Sequence, residues 1–169
     1  MSVIVYDAKR RLMVADSRAY SGSPHPMGTK MKIHRITDGP FKGALLGITS
    51  CVPGMGEEFK QWVTEGMSKE ALSPSDPQLE ALLVQTDGSV IYFNDAYYPS
   101  GPLESDYFTI GSGGKYALGA IRAGAHPLNA VGVAIACDPF CGLPVVSLSL
   151  DPADANQLSL ALPETSVAA

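Results

Sequence analysis

Val14-Ala15-Asp16-Ser17-Arg18-Ala19 is the stretch on which the reading of this chain turns. It follows Met1-Ser2-Val3-Ile4-Val5 after one short turn. The apolar runs Val3 to Tyr6 and Arg11 to Ala15 flank Asp7-Ala8-Lys9-Arg10, the pattern of a β-hairpin. A buried acid, Asp16, then lies on the strand next to the one that opens the chain. Ser2 becomes the first residue when Met1 is trimmed. A hydroxyl residue that carries the free α-amine, with a reference pKa of about 7.7–8.0, needs no separate histidine as general base.

Outward from this hairpin, Ser21 to Gly28 holds Gly, Ser, Pro and His and reads as a surface loop. Lys30 to Ile36 alternates with strand period, and Gly43 to Thr49 is an apolar strand. Glu57 to Met67 carries Phe59, Trp62, Val63 and Met67 at helical spacing, with Glu57 and Glu58 near its start, where the helix dipole favours anions. Pro74 to Pro77 breaks the chain. Leu79 to Gln85 and Val90 to Phe93, joined through Asp87-Gly88, form a second hairpin, because Asp-Gly supplies the positive φ of a tight turn.

The Pro/Ser/Gly-rich piece from Tyr97 to Ser105 reads as a long loop within the fold. Tyr107 to Ile110 is a strand running into Gly111-Ser112-Gly113-Gly114. Lys115 to Ala123 and Asn129 to Ala136 are two helices split at Gly124-Ala125-His126-Pro127, and Pro144 to Leu150 is a last strand. This order suits an α+β fold of two stacked antiparallel sheets with helices outside. Residues 1–150 are expected to form one domain. Residues 151–169, with weak alternation at Leu158, Leu160 and Leu162, form an edge strand or a loose tail.

Composition bounds the function. A chain of 169 residues with 46% apolar residues holds one sizeable core. The net charge of −5 is spread along the chain, which argues against nucleic acid or membrane as partners. No run of 18 or more apolar residues and no basic-then-apolar start is present, so a cytoplasmic protein is expected. Cys51, Cys137 and Cys141 are too few for a disulfide framework, and Cys137-x-x-x-Cys141 lacks the second ligand pair zinc requires. No metal or cofactor is implied. His25, His34 and His126 read as surface or loop residues, with His34 expected to face away from Lys32.

Five pieces in order resemble the proteasome β-subunit family. They are Ser2-Val3-Ile4-Val5-Tyr6, Ala15-Asp16-Ser17-Arg18-Ala19, Lys30-Met31-Lys32-Ile33, Ile110-Gly111-Ser112-Gly113-Gly114-Lys115-Tyr116-Ala117 and Asp138-Pro139-Phe140-Cys141-Gly142. In length the chain is most similar to the HslV-type peptidases and to short proteasome-like proteins of bacteria and phages. The resemblance implies the amino-terminal nucleophile hydrolase fold, a four-layer αββα sandwich of two stacked antiparallel sheets.

It also implies a peptidase in which Ser2 stands where the family usually has threonine. Ser2 would be the nucleophile, Lys32 would lower its pKa by charge, and Asp16 would hold the lysine in place. Ser112, Asp138 and Cys141, the last in place of the family's usual serine, would orient the chain end. Backbone N–H groups of Ser50 and Cys51 would form an oxyanion hole, where the family usually has two glycines. The implied partners are further copies of the chain in a ring or spiral, an unfolded peptide as substrate, and an ATP-dependent unfoldase. Arg18, Met31 and Thr49 would shape the substrate pocket.

On residue types alone, Asp16 and Lys32 read more simply as a structural ion pair between strands, and Ser112 as part of a tight turn. The replacements at Ser2, Ser50-Cys51 and Cys141 also fit an inactive assembly subunit that keeps the fold while its site decays.

Overall fold

The computed structural model describes residues 2–20, 25–69, 77–151 and 159–161. Twelve strands and three helices occur among them, in a mixed architecture whose strand pairings are all antiparallel. One five-stranded sheet runs in the order β10 (Tyr107–Ile110), β1 (Ile4–Asp7), β2 (Leu12–Asp16), β11 (Val145–Ser149), β12 (Ser159–Ala161). The second runs β5 (Ile33–Arg35), β6 (Leu45–Ser50), β7 (Leu79–Val84), β8 (Val90–Asn94), β9 (Ser100–Leu103). A two-stranded piece pairs β3 (Arg18–Tyr20) with β4 (Pro26–Thr29).

Strand alternation sorts the side chains into three cores. Ile4, Tyr6, Met13, Ala15, Val146 and Leu148 of the first sheet meet Ile33, Leu45, Leu82, Val84 and Val90 of the second. Their odd-even neighbours point the other way. Val3, Val5, Val14 and Val145 pack on α2 (Gly114–Arg122) and α3 (Pro127–Cys137), through Ala117, Ile121, Ala130 and Ala134. Leu46, Ile48, Ala81, Leu83 and Phe93 pack on α1 (Met55–Thr64), through Phe59, Trp62 and Val63. Gly47 sits on the inner face, where an added Cβ would lie 2.9 Å from Ile4 Cγ2 and 3.1 Å from Met13 Sδ. A side chain there would push the sheets apart.

The helices start where local chemistry allows. Gly54 precedes α1 with φ 83°, a left-handed turn glycine adopts freely, and Glu57 and Glu58 fill the first turn. At α3 the His126 side chain accepts the Leu128 N–H at 3.3 Å and Pro127 occupies the first turn, where its missing N–H is no loss. His126 is thus a cap.

Both expected hairpins form, with Val5 opposite Val14 and Leu82 opposite Tyr92, and with Gly88 at φ 95° in the second turn. Three expectations need correction. Part of the loop expected over Ser21 to Gly28 is strand β4, whose Thr29 pairs with Arg18; residues 21–24 lie outside the described residues. The strand expected over Lys30 to Ile36 shrinks to Ile33–Arg35, because the Lys30 N–H turns to the Ser17 carbonyl at 2.8 Å. The long loop at Tyr97 to Ser105 contains β9, an edge strand, where Pro102 can lack an N–H without breaking a ladder. Of the break at Pro74 to Pro77, residues 74–76 lie outside the described residues. Among the described residues, no helix is long and apolar enough to cross a membrane.

Candidate active site

The first sheet delivers Ser2 and Asp16 to one point from opposite sides of the hairpin turn. Asp16 closes β2 beside the entry to β1, and the Asp16 N–H donates to the Val3 carbonyl at 3.2 Å. The Ser2 hydroxyl donates to Asp16 Oδ1 at 2.7 Å, and Lys32 Nζ donates to the same oxygen at 2.8 Å. Lys32 comes from the other sheet, just ahead of β5. Three residues remote in sequence therefore meet on one carboxylate oxygen.

Asp16 is held hard. The Val3 N–H also donates to Oδ1 at 3.0 Å, while Oδ2 accepts the N–H groups of Arg18 at 3.2 Å and Gly142 at 3.0 Å. Ser2 and Asp16 expose no surface, and Lys32 is nearly buried. Burial pulls the Lys32 ammonium below its ordinary value, while the charge and hydrogen bond of Asp16 pull it back.

A second network fixes the Ser2 backbone. The Ser2 N–H donates to Ser112 Oγ at 3.1 Å, and the Ser2 carbonyl accepts the Gly113 N–H at 2.9 Å. Asp138, at the end of α3, accepts the Phe140 N–H at 2.9 Å and the Cys141 S–H at 3.5 Å. Burial pushes the Asp138 carboxyl up, but the Ser112 hydroxyl, the Phe140 N–H and the Cys141 thiol outweigh it, and the net shift is downward. Cys141 itself is pushed up to about 12 by burial and by the charges of Asp16 and Asp138.

Two hollows flank the cluster. One, of about 100 Å³, is lined by Arg18, Met31, Lys32, His34, Val52 and Glu57, among others. The other, of about 300 Å³, is lined by Gln78, Leu79, Glu80, Asp95, Gly111 and Ser112. Thr49, Ser50 and Cys51 wall both. Ser50 Oγ donates to the Gln78 carbonyl at 2.6 Å and accepts the Val52 N–H at 3.0 Å, which shapes this wall as a turn at the end of β6.

The fold thus gathers Ser2, Asp16 and Lys32, links Ser112 to the backbone of Ser2, and sets Asp138 and Cys141 beside one another. Ser50 and Cys51 lie on the wall between the hollows. His34 departs from expectation, for it lines the same hollow as Lys32. Residues two apart on a strand share a face, and that rule alone would have placed it. Burial and the nearby Lys60 charge hold its imidazole down to about 4. Sequence reasoning also missed Glu80, an acid in line with the inward-facing Leu82 and Val84; β7 is otherwise apolar on both faces, so alternation did not single it out. Among the described residues, no three His, Cys, Asp or Glu side chains cluster to hold a metal.

No family model matches the chain, and no curated protein matches it in sequence. Solved structures do match. HslV from Trypanosoma brucei superimposes with a TM-score of 0.60 at 18% identity, over 87% of this chain and 99% of that one. BPH from Thiobacillus denitrificans gives 0.57 at 18% identity, over 90% of this chain and 100% of its own. The same protein in complex with epoxomicin gives 0.60 at 16% identity, over 90% of this chain and 100% of its own. The chain therefore has the fold of HslV, as its sequence motifs implied.

Proposed function

We propose that this chain is a proteasome-like peptidase of the amino-terminal nucleophile type, with Ser2 as nucleophile after removal of Met1. The observation that carries the reading is the convergence of Ser2 Oγ and Lys32 Nζ on Asp16 Oδ1. In the proposed reaction the Ser2 hydroxyl attacks a peptide carbonyl and its proton passes to the freed α-amine. The amine then returns a proton to the departing peptide amine, and water cleaves the resulting ester.

Lys32 supplies positive charge beside the oxygen that becomes nucleophilic, and Asp16 fixes the lysine. Ser112, at 3.1 Å from the Ser2 nitrogen, orients that amine, with Asp138 and Cys141 behind it. In this reading the backbone N–H groups of Ser50 and Cys51, on the wall of both hollows, take the role of the oxyanion hole. Such donors typically contribute about 3–4 kcal/mol.

The reading extends to an αββα sandwich assembled as a homo-oligomeric ring or spiral in the cytoplasm, fed with unfolded chains by an ATP-dependent unfoldase. The complex of BPH with epoxomicin supports the peptidase reading by analogy of fold. A second reading, an inactive assembly subunit, draws on one observation: Ser2 exposes none of its surface.

One experiment decides between them. Intact mass establishes whether Met1 is gone, and the trimmed protein is assayed on fluorogenic peptides and incubated with epoxomicin, with Ser2→Ala as control. Turnover and a mass adduct, both lost in Ser2→Ala, are expected. Retained Met1, or trimmed protein that neither turns over peptides nor forms the adduct, overturns the peptidase.

A further inference from the structure

Glu80 is the only charged residue of β7, and it shares the inward face with Leu82 and Val84. Its two carboxylate oxygens are divided. Oε1 accepts the Tyr92 hydroxyl at 3.0 Å from the neighbouring strand β8. Oε2 accepts the Gly111 N–H at 2.8 Å, across the cleft, on the loop that leaves β10. The carboxylate thus ties the second sheet to a loop of the first.

The two ends of this tie carry the site. Gly111 precedes Ser112, which accepts the Ser2 N–H, and Gly111 itself packs against the Ser2 backbone, where an added Cβ would lie 2.9 Å from the Ser2 carbonyl carbon. On the other side Glu80 pairs in register with Thr49, the residue before Ser50 and Cys51. Asp16 and Lys32 bridge the sheets at one place, and Glu80 and Gly111 bridge them at a second.

We propose that Glu80 is a positioning residue that sets the placement of Ser2 relative to the Ser50-Cys51 wall by tethering the Gly111-Ser112 loop, an inference that rests on the peptidase reading. Glu80 touches no reacting atom. Its effect therefore falls on turnover and leaves substrate binding nearly unchanged, because a displacement near 1 Å can cost about 100-fold in rate.

The test compares Glu80→Met with Glu80→Gln in the Met1-trimmed full chain, two variants of similar volume. Methionine removes the acceptor. Glutamine keeps an oxygen for the Gly111 N–H and can donate its amide to the Tyr92 hydroxyl. Glu80→Met is expected to lower kcat about tenfold or more with KM within about twofold, and Glu80→Gln to restore kcat to within about threefold of wild type. Exchange of the Gly111 amide, followed by NMR, is expected to be slow in wild type and Glu80→Gln and fast in Glu80→Met.

If the wild type turns over peptides and Glu80→Met matches it, the inference fails and the peptidase stands. Equal losses in Met and Gln variants also sink the tether. A wild type without turnover ends both. Should Glu80→Met not fold, the wild-type Gly111 amide decides: protection at the level of the strand amides supports the tether, and free exchange overturns it.

Discussion

Gly111 rests directly against the backbone of Ser2, with φ 86° and no room for a Cβ beside the Ser2 carbonyl. The contact makes the loop before α2 a clamp on the chain's second residue. Gly111→Ala combines a left-handed backbone with a collision, and a loss of about 2 kcal/mol is expected, or about 4–8 °C in Tm for a chain of this size. Thermal unfolding checks it; a melting point unchanged within error refutes the clamp.

The pair of Asp16 and Lys32 predicts a non-additive result. Asp16→Asn leaves a nearly buried ammonium without its countercharge and should destabilise by about 3–5 kcal/mol. Adding Lys32→Met removes that orphaned charge and should recover at least about 1 kcal/mol. Urea unfolding of the two single variants and the double variant measures the coupling. A double variant no more stable than Asp16→Asn contradicts it.

His34 gives the fold a pH dependence of known sign. Its imidazole is held down to about 4 by burial and by the Lys60 and Lys30 charges, against the opposing pull of Glu57 and the Met31 backbone. Between about pH 6.5 and 4 the unfolded chain takes up a proton that the folded chain refuses, so stability falls as pH falls. The full shift corresponds to about 3 kcal/mol, discounted to about 2 because the half-buried ring is screened by water. Denaturant unfolding at pH 7 and near pH 4 should show this loss in wild type and a smaller one in His34→Gln. Equal losses would falsify the assignment.

The three thiols should differ in reactivity. Cys51 and Cys137 are exposed, whereas Cys141 is buried with its thiol pushed up to about 12. At mildly alkaline pH the native protein is expected to consume two equivalents of a thiol reagent quickly and the third only on unfolding. Fast modification of all three in the native state would show that Cys141 is not sealed behind Asp138.

Local pattern carried much of the fold. The β1 and β2 hairpin was readable because the apolar runs Val3 to Tyr6 and Arg11 to Ala15 flank the turn Asp7-Ala8-Lys9-Arg10, and the β7 and β8 hairpin because Asp87-Gly88 names its turn. Strands β4 and β9 were not readable. Pro26, Gly28, Gly101 and Pro102 have loop composition, and only pairing with β3 and β8 makes them strands.

The site divided in the same way. Ser2, Asp16 and Lys32 stood out through motif order, but the Gly142 N–H that steadies Asp16 comes from 126 residues away and bears no side chain to notice. Glu80 was hidden for a different reason. An acid among leucines looks like ordinary strand alternation until its inward direction is known.

Thr49, Ser50 and Cys51 separate the two hollows as one thin partition. The recesses are consequently not independent variables: any exchange on the partition reshapes both at once. Retuning one alone would have to proceed from its outer rim, through Met31 and Val52 on one side or Gln78 and Asp95 on the other.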